Sequence, residues 1–366
     1  MLGQESSQSG LWVDGKSTTF GVVHCLRHGG HREQKYAPKY GMNCAAYSAD
    51  FNFICTASGD KTARIFEAAT RANTFTVEEP DWIRCSAFSH DGLKLATGND
   101  DAWVRIYTLE EGEEQTPKKL EHVRPIYGVA FSPDDRMLLT ASTDKKARIF
   151  KVVTDEPAEE EEAEQGDRSQ QVAADAKAEE KEKEKAAAEQ DMSKKKKDDK
   201  AAEEQEEKPL PEIPEHWLET GQYRELKHQD AVGCAKWNAD GTQICTSSGA
   251  PRYCGLARIF DVEYAEELMS FPHDDVVTSA SWSPDGKTLC TSSLDMGARI
   301  WSLDNGQELR NWKHPNFVQA ANFSQSGKFL CSACDDGRAR IFDIKTREEL
   351  QAFRHPDQVW CSSFGP

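Results

Sequence analysis

Ten histidines, eleven cysteines and 63 acidic residues supply the side chains that a hydrolase or a metal centre would use. His122, His228, His273, His314 and His355, with Asp60, Asp101, Asp144, Asp295 and Asp336, are the types that general acid–base catalysis draws on. Cys331 and Cys334 form a C-x-x-C, but no second pair stands nearby at zinc spacing. Arg64, Arg105, Arg148, Arg258, Arg299 and Arg340 invite an anion site. Their intervals, 41, 43, 110, 41 and 41 residues, argue otherwise. A group that recurs once per period belongs to a repeated structural unit, so these residues are expected to be consumed within their own repeats. No nucleophile–base pair, phosphate loop or metal cluster stands outside the phase, so neither catalytic residues, a metal nor a cofactor is expected.

The elements that position these residues are short strands. "CSAFSHDGLKLATGNDDAWVRIYTLEEG" reads as three apolar runs separated by turns at His90-Asp91-Gly92 and Asn99-Asp100-Asp101. Asp-Gly turns between β-favouring runs are a hairpin signature. A fourth strand follows, as in "GQELRNWKH". Four strands every forty-odd residues is the period of a propeller blade. The repeat resembles the WD-repeat β-propellers, with "ARIF" standing where that family ends its third strand in Trp-Asp.

An aromatic closes each first strand: Tyr47, Phe88, Phe131, Trp237, Trp282, Phe323 and Phe364. Seven markers predict an all-β, seven-bladed propeller of four-stranded antiparallel blades. The chain stops two residues after the last marker, so the missing strands of blade seven are assigned to residues 7–40. "SQSG" at Ser7–Gly10 and Ser324–Gly327, each 40 residues before a marker, sets that register. Closing the ring with N-terminal strands on the C-terminal strand would remove an exposed edge. A truncated seventh blade is the alternative.

The resemblance implies a hydrogen-bonded set within each blade: a His before the first strand, a Ser or Thr, the turn Asp and a third-strand Trp. Only blade five carries all four, as His273, Ser293, Asp295 and Trp301. Phe66, Phe150, Phe260 and Phe342 lack an indole donor, and Asn99 departs from the Ser. The repeated arginines are expected to lie along the neighbouring blade with their heads bonded or in water.

Composition sets the remaining expectations. The net charge is −18. Residues 155–215 carry 23 acidic against 11 basic side chains, leaving a mildly acidic globular part that disfavours nucleic acid. Residues 155–219 read as a charged low-complexity insertion in the blade-three loop, helical or disordered, within a single propeller spanning 1–366. No run of eighteen apolar residues exists and the N-terminus lacks signal-peptide features, so a soluble, cytoplasmic protein is expected. "KKKK" at 194–197 is a diluted nuclear-import pattern that leaves the nucleus open. Eight cysteines fall at two repeat positions and are expected to fill core slots in a reducing compartment.

Function then falls to the loops at the propeller's ends. The positions four and six before the aromatic marker place Trp82, Arg84, Tyr127, Phe317, Gln319 and Trp360 on one rim, and the loop "GAPRYCG" adds Arg252 and Tyr253. Trp, Tyr and Arg are the types that anchor protein interfaces. The expected function is a non-catalytic scaffold binding proteins or peptides within a larger assembly, without a membrane. Its alternatives are an enzyme with a site at the central channel, or an RNA-associated propeller.

Overall fold

The computed structural model describes residues 9–13, 16–20, 42–109, 117–152, 221–250, 254–355 and 357–364. Six four-stranded antiparallel sheets follow one another along the chain, spanning residues 42–78, 83–121, 126–227, 232–273, 277–313 and 318–354. These are blades one to six. The first strands neighbour one another in order, and the apolar core lies between blades rather than within them. Val104 and Leu120 of blade two pack with Ile126 and Phe131 of blade three, and Phe271 of blade four packs with Leu289 and Trp301 of blade five. Burying each such side chain is worth roughly 1.5–3 kcal/mol.

Local turn chemistry folds each hairpin. In "SPDG" at 283–286, Ser283 Oγ donates to Asp285 Oδ1 at 2.6 Å while accepting the Thr288 N–H at 2.9 Å. Gly286 supplies the left-handed residue of that turn at φ 68°; Asp135 takes the place in blade three at φ 58°. In blade three the strand Lys146–Lys151 pairs directly with Gln222–Lys227, so residues 152–221 form the connection between neighbours in one sheet. The charged insertion, and Arg252 and Tyr253, lie outside the described residues.

Seven four-stranded blades are predicted from the sequence; the described residues form six. Ser9–Val13 pairs with Lys16–Phe20 as a separate two-stranded sheet, not with the C-terminal segment. The physical reason is local. Val13 lies opposite Lys16, and the two residues between them are Asp-Gly, a hairpin signal that pairs these strands with each other. The four-letter "SQSG" match is too short to fix a register against that preference. Residues 357–364 carry no strand.

These C-terminal residues are nevertheless held. Val359 packs on Ala320 and Ala333 of blade six and donates its N–H to Cys334 O at 3.3 Å. Asn322 Nδ2 donates to Ser362 O at 2.7 Å, and Cys361 Sγ lies 3.7 Å from Ala45 O of blade one. A cavity of about 300 Å³ lies between this segment and blade six, lined by Phe353, Arg340 and Phe364 among others.

Candidate protein-interaction rim

The polar repeat residues are spent on one another, the histidine at the end of one blade meeting the second strand of the next. In blade five, Trp301 Nε1 donates to Thr291 Oγ1 at 2.9 Å, and that hydroxyl meets His273 Nε2 at 2.8 Å. The other ring nitrogen, Nδ1, bonds Phe271 O at 3.1 Å. A neutral imidazole with its proton on Nδ1 satisfies both contacts. Burial lowers the His273 pKa to about 4, with the Arg299 charge acting in the same direction. Ser293 lies apart from the imidazole, donating to Asp275 O at 3.1 Å and accepting the Asp295 N–H at 3.1 Å. Asp295 caps its own turn at Gly297 and pairs with Arg299 at 2.8 Å. Thr291, which the sequence alone does not single out, is therefore the hub. His228 meets Thr246 at 2.9 Å and His314 meets Ser332 at 2.8 Å in the same way.

The repeated arginines pair within their own blades rather than along the neighbour. Each reaches the turn aspartate four residues before it, as in Arg105–Asp101 at 2.6 Å and Arg148–Asp144 at 2.7 Å. That pair was visible as D-x-x-x-R. Blade four has no turn aspartate, and Arg258 pairs instead with Glu267 at 3.2 Å.

The rim residues arise from a regular defect. Every first strand carries a β-bulge, between Ile83 and Cys85, Ile126 and Gly128, and Val318 and Ala320, among others. A bulge re-aims the extra residue away from the ladder. The bulged residues include Arg84, Tyr127 and Gln319. In blades one and five they are Asn43 and Thr278, whose side chains bond the next blade at Ile83 O and Val318 O, both at 2.7 Å.

On blades two and three the result is a layered cluster. Arg84 donates to both oxygens of Asp100, from Nε at 2.7 Å and from a terminal nitrogen at 2.6 Å. Its guanidinium carbon lies 4.9 Å from the Trp82 ring centre and 5.3 Å from that of Tyr127. Both rings stay open to solvent, at 37% and 41% of their full exposure. The bidentate pair fixes the fork, so the two aromatic faces are presented with little side-chain freedom left to lose.

Blade six repeats the frame with other residues. The Asp335 N–H donates to Phe317 O at 3.0 Å, as the Asp100 N–H does to Trp82 O. Gln319 Nε2 reaches both Asp335 oxygens at 3.1 Å. Phe317 and, on the C-terminal segment, Trp360 are 41% and 49% exposed. Among the described rim residues, the Arg84 guanidinium lies against both Trp82 and Tyr127, while Phe317 and Trp360 stand on blade six and the C-terminal segment. Among the described residues, no group of three or more His, Cys, Asp or Glu stands where a metal could be held.

The comparisons agree with this architecture. The profile described as "WD domain, G-beta repeat" matches residues 25–67, 71–108, 115–151, 265–302 and 306–343, together just over half of the chain. WD repeat-containing protein SL1-17 of Schistosoma mansoni is 33% identical over 108 residues, 29% of this chain and 35% of that protein. The SAGA complex/transcription factor TFIID complex subunit Taf5 of Schizosaccharomyces pombe is 31% identical over 84 residues, 20% of this chain and 13% of that protein. Mouse WD repeat-containing protein 1 is 33% identical over 102 residues, 27% of this chain and 17% of that protein. The matches to these relatives therefore span about a third or less of each one's length. With its profile matches, its repeat period and its bulged four-stranded blades, the chain belongs to the WD40-repeat family.

Proposed function

We propose that this chain is a non-catalytic scaffold whose rim docks a protein or peptide, with Trp82, Arg84 and Tyr127 as the principal anchors. WD-repeat proteins are generally interaction scaffolds, and the Taf5 relative is by its name a subunit of the SAGA and TFIID complexes. The observation that carries the reading is the guanidinium held by Asp100 between two half-exposed rings. Asp100 already holds that fork by two hydrogen bonds, which lowers the ordering cost of binding. Phe317 and Trp360 form a second anchor group, and a partner long enough to reach both would be fixed in direction.

Alanine variants test this. Trp82→Ala/Tyr127→Ala and Phe317→Ala/Trp360→Ala are compared with wild type by quantitative affinity purification, followed by titration of the recovered partner. Loss of an anchor worth ~2 kcal/mol weakens binding roughly thirty-fold. The melting midpoint should move little, because these rings lie outside the inter-blade core. Unchanged affinity in both variants would move the docking surface away from this rim.

A further inference from the structure

Three of the four cysteines that stand three residues before an aromatic marker, Cys44, Cys234 and Cys361, repeat one contact; Cys85 instead meets Gly98 O and Ile126 O. Cys44 Sγ lies 3.9 Å from Ser86 O, Cys234 Sγ 3.9 Å from Ala280 O, and Cys361 Sγ 3.7 Å from Ala45 O. Each oxygen belongs to the residue two before the marker of the following first strand. Cys361 therefore stands to blade one as Cys44 stands to blade two, although its own segment forms no ladder. The residue of the same column in blade one is Cys44, so two thiols face each other across the place where the C-terminal segment meets the first blade.

The spacing of that column suits a covalent link. Between blades three and four it holds Gly128 and Cys234, and a Cβ on Gly128 would lie 3.4 Å from the Cys234 Cα. Disulfides need Cβ atoms ~3.5–4.5 Å apart, which column-mates in adjacent blades can meet without rearranging strands. Most of the other column positions offer no second thiol: they hold Gly128, Ser279 and Ala320. Cys85 does follow Cys44, but it is buried, and burial pushes its thiol well up. Cys44 and Cys361 are each only half-buried.

A cation acts on Cys361. Lys236 of blade four reaches past blade five to Asn322 of blade six, Nζ to Oδ1 at 2.8 Å. Asn322 in turn donates to the carbonyl of Ser362, next to Cys361. A hydrogen bond from Cys44 lowers the Cys361 thiol below its usual range, aided by the Ala45 backbone and the Lys236 charge against the cost of burial. Cys44 is raised by the same coupling. One attacking sulfur and one resolving sulfur is the arrangement of an oxidisable dithiol.

We propose that Cys44 and Cys361 form a peroxide-oxidised dithiol whose disulfide fastens the C-terminal segment to blade one. The Cys361 thiolate attacks one oxygen of hydrogen peroxide, the O–O bond breaks, and hydroxide leaves and takes up the proton that Cys361 had released. This gives Cys361 sulfenic acid and one water. The Cys44 sulfur then attacks the sulfenic sulfur, the S–O bond breaks, and the Cys44 proton leaves with the hydroxyl as a second water. Two thiols lose two electrons to the peroxide, and a dithiol reductant returns them.

The experiment uses the full chain, reduced, exposed to graded hydrogen peroxide and then blocked with N-ethylmaleimide before digestion without reductant. Mass spectrometry should find the Cys44 peptide joined to the Cys361 peptide at lower peroxide than any other link, and dithiothreitol should reverse it. Lys236→Met, checked for folding by circular dichroism, should slow the link several-fold, because the thiolate loses its cation. Cys44→Ser should leave Cys361 as a sulfenic acid that dimedone traps. Two alkylated free thiols after peroxide, or Cys361 joined instead to another cysteine, would overturn the assignment. An unchanged rate in folded Lys236→Met would remove the cation from it.

Discussion

Blades two and five occupy equivalent places and solve the same packing problem with opposite chemistry. Blade five buries a neutral imidazole that accepts one hydrogen bond through Thr291. Blade two buries a carboxylate. Glu79, nine residues before its aromatic marker as His273 is before Trp282, has no exposed side-chain surface. Thr97 and Tyr107 donate to its Oε1 at 2.9 and 2.7 Å, and Asn99 donates to Oε2 at 2.9 Å. The Arg105 guanidinium stands 2.9 Å from Oε2. A carboxylate only accepts, so its neighbours must donate. Asn99 and Tyr107, standing where blade five has Ser293 and Trp301, supply two of those donors, and burial raises the Tyr107 pKa so that it stays a donor. Departures from a repeat that look like decay residue by residue are here one coordinated change.

Acid separates the two designs most strongly. Burial lowers His122 to about 3 and His228, His273 and His314 to about 4, against ~6.5 in an unfolded chain. The unfolded chain therefore takes up protons below pH 6.5 that the folded one refuses. Stability from this source is whole above that value and drains away as pH falls toward 4. Each histidine contributes ~1.4 kcal/mol per pH unit in the window, so four together reach the order of 10 kcal/mol, comparable to a whole domain's stability. Circular dichroism should show cooperative unfolding before pH 4. Hydrogen exchange should show blades three to six loosening first, since blade two has no histidine at this place. A native spectrum persisting below pH 4 would show that the imidazoles are not held neutral.

Removing Glu79 should be the costliest single change. Glu79→Ala takes from Arg105 one of its two carboxylates and strands three neutral donors, at about 3–5 kcal/mol in a urea melt. Glu79→His alone should also be severe, while adding Asn99→Ser and Tyr107→Trp should recover part of the loss. Coupling of about 0.5–3 kcal/mol between these sites would establish the coordinated change; strict additivity would refute it. In blade five, Thr291→Val should cost about 1–3 kcal/mol by leaving His273 and Trp301 unpaired. Ser293→Ala should cost ~1 kcal/mol, touching only the turn. Equal effects would undo the ranking of the two hydroxyls.

The smallest effect lies in a strain that both blades share. After the turn aspartate stand Ala102 in blade two and Met296 in blade five, at φ 68° and 65°. Only blade six places a glycine there, Gly337 at φ 76°. A left-handed residue with a Cβ costs roughly 1–2 kcal/mol and glycine loses ~0.5–1 kcal/mol in chain entropy. Met296→Gly and Ala102→Gly should each raise stability by about 0.5 kcal/mol, seen as a rise in the thermal midpoint.

Much of this architecture was legible in the sequence because it is written periodically. Strand order, hairpin turns and the histidine position all follow from fixed offsets to the aromatic marker. Glu79 sits at the histidine offset, and its spacing marks the place, but a search by residue type passes over it. Thr291 was illegible for a different reason. Its role depends on which second-strand hydroxyl the antiparallel register sets beside the Trp301 indole, and neighbouring Ser293 has the same chemistry. The seventh blade was inferred from a count of markers, yet a marker requires only an aromatic, whereas a blade requires three partner strands. The rim positions were found by offset as well, but that Arg84 is clamped by Asp100 between two rings is a matter of side-chain geometry that offsets do not contain.

The fastening of the C-terminal segment to blade one has a consequence for how the molecule is made. Within the hairpins, strands pair with neighbours a few residues away, contacts that form quickly and close to where the chain emerges during synthesis. The contact from Cys361 to Ala45 spans 316 residues. Until that contact forms, blades accumulate one after another while the first strand of blade one lacks its partner at residue 361. A translational pause before residue 361 would lengthen that wait without altering a single blade. The vulnerable interval is thus set by elongation as far as residue 361, and chaperone demand should track the time taken to make that residue rather than the stability of any blade.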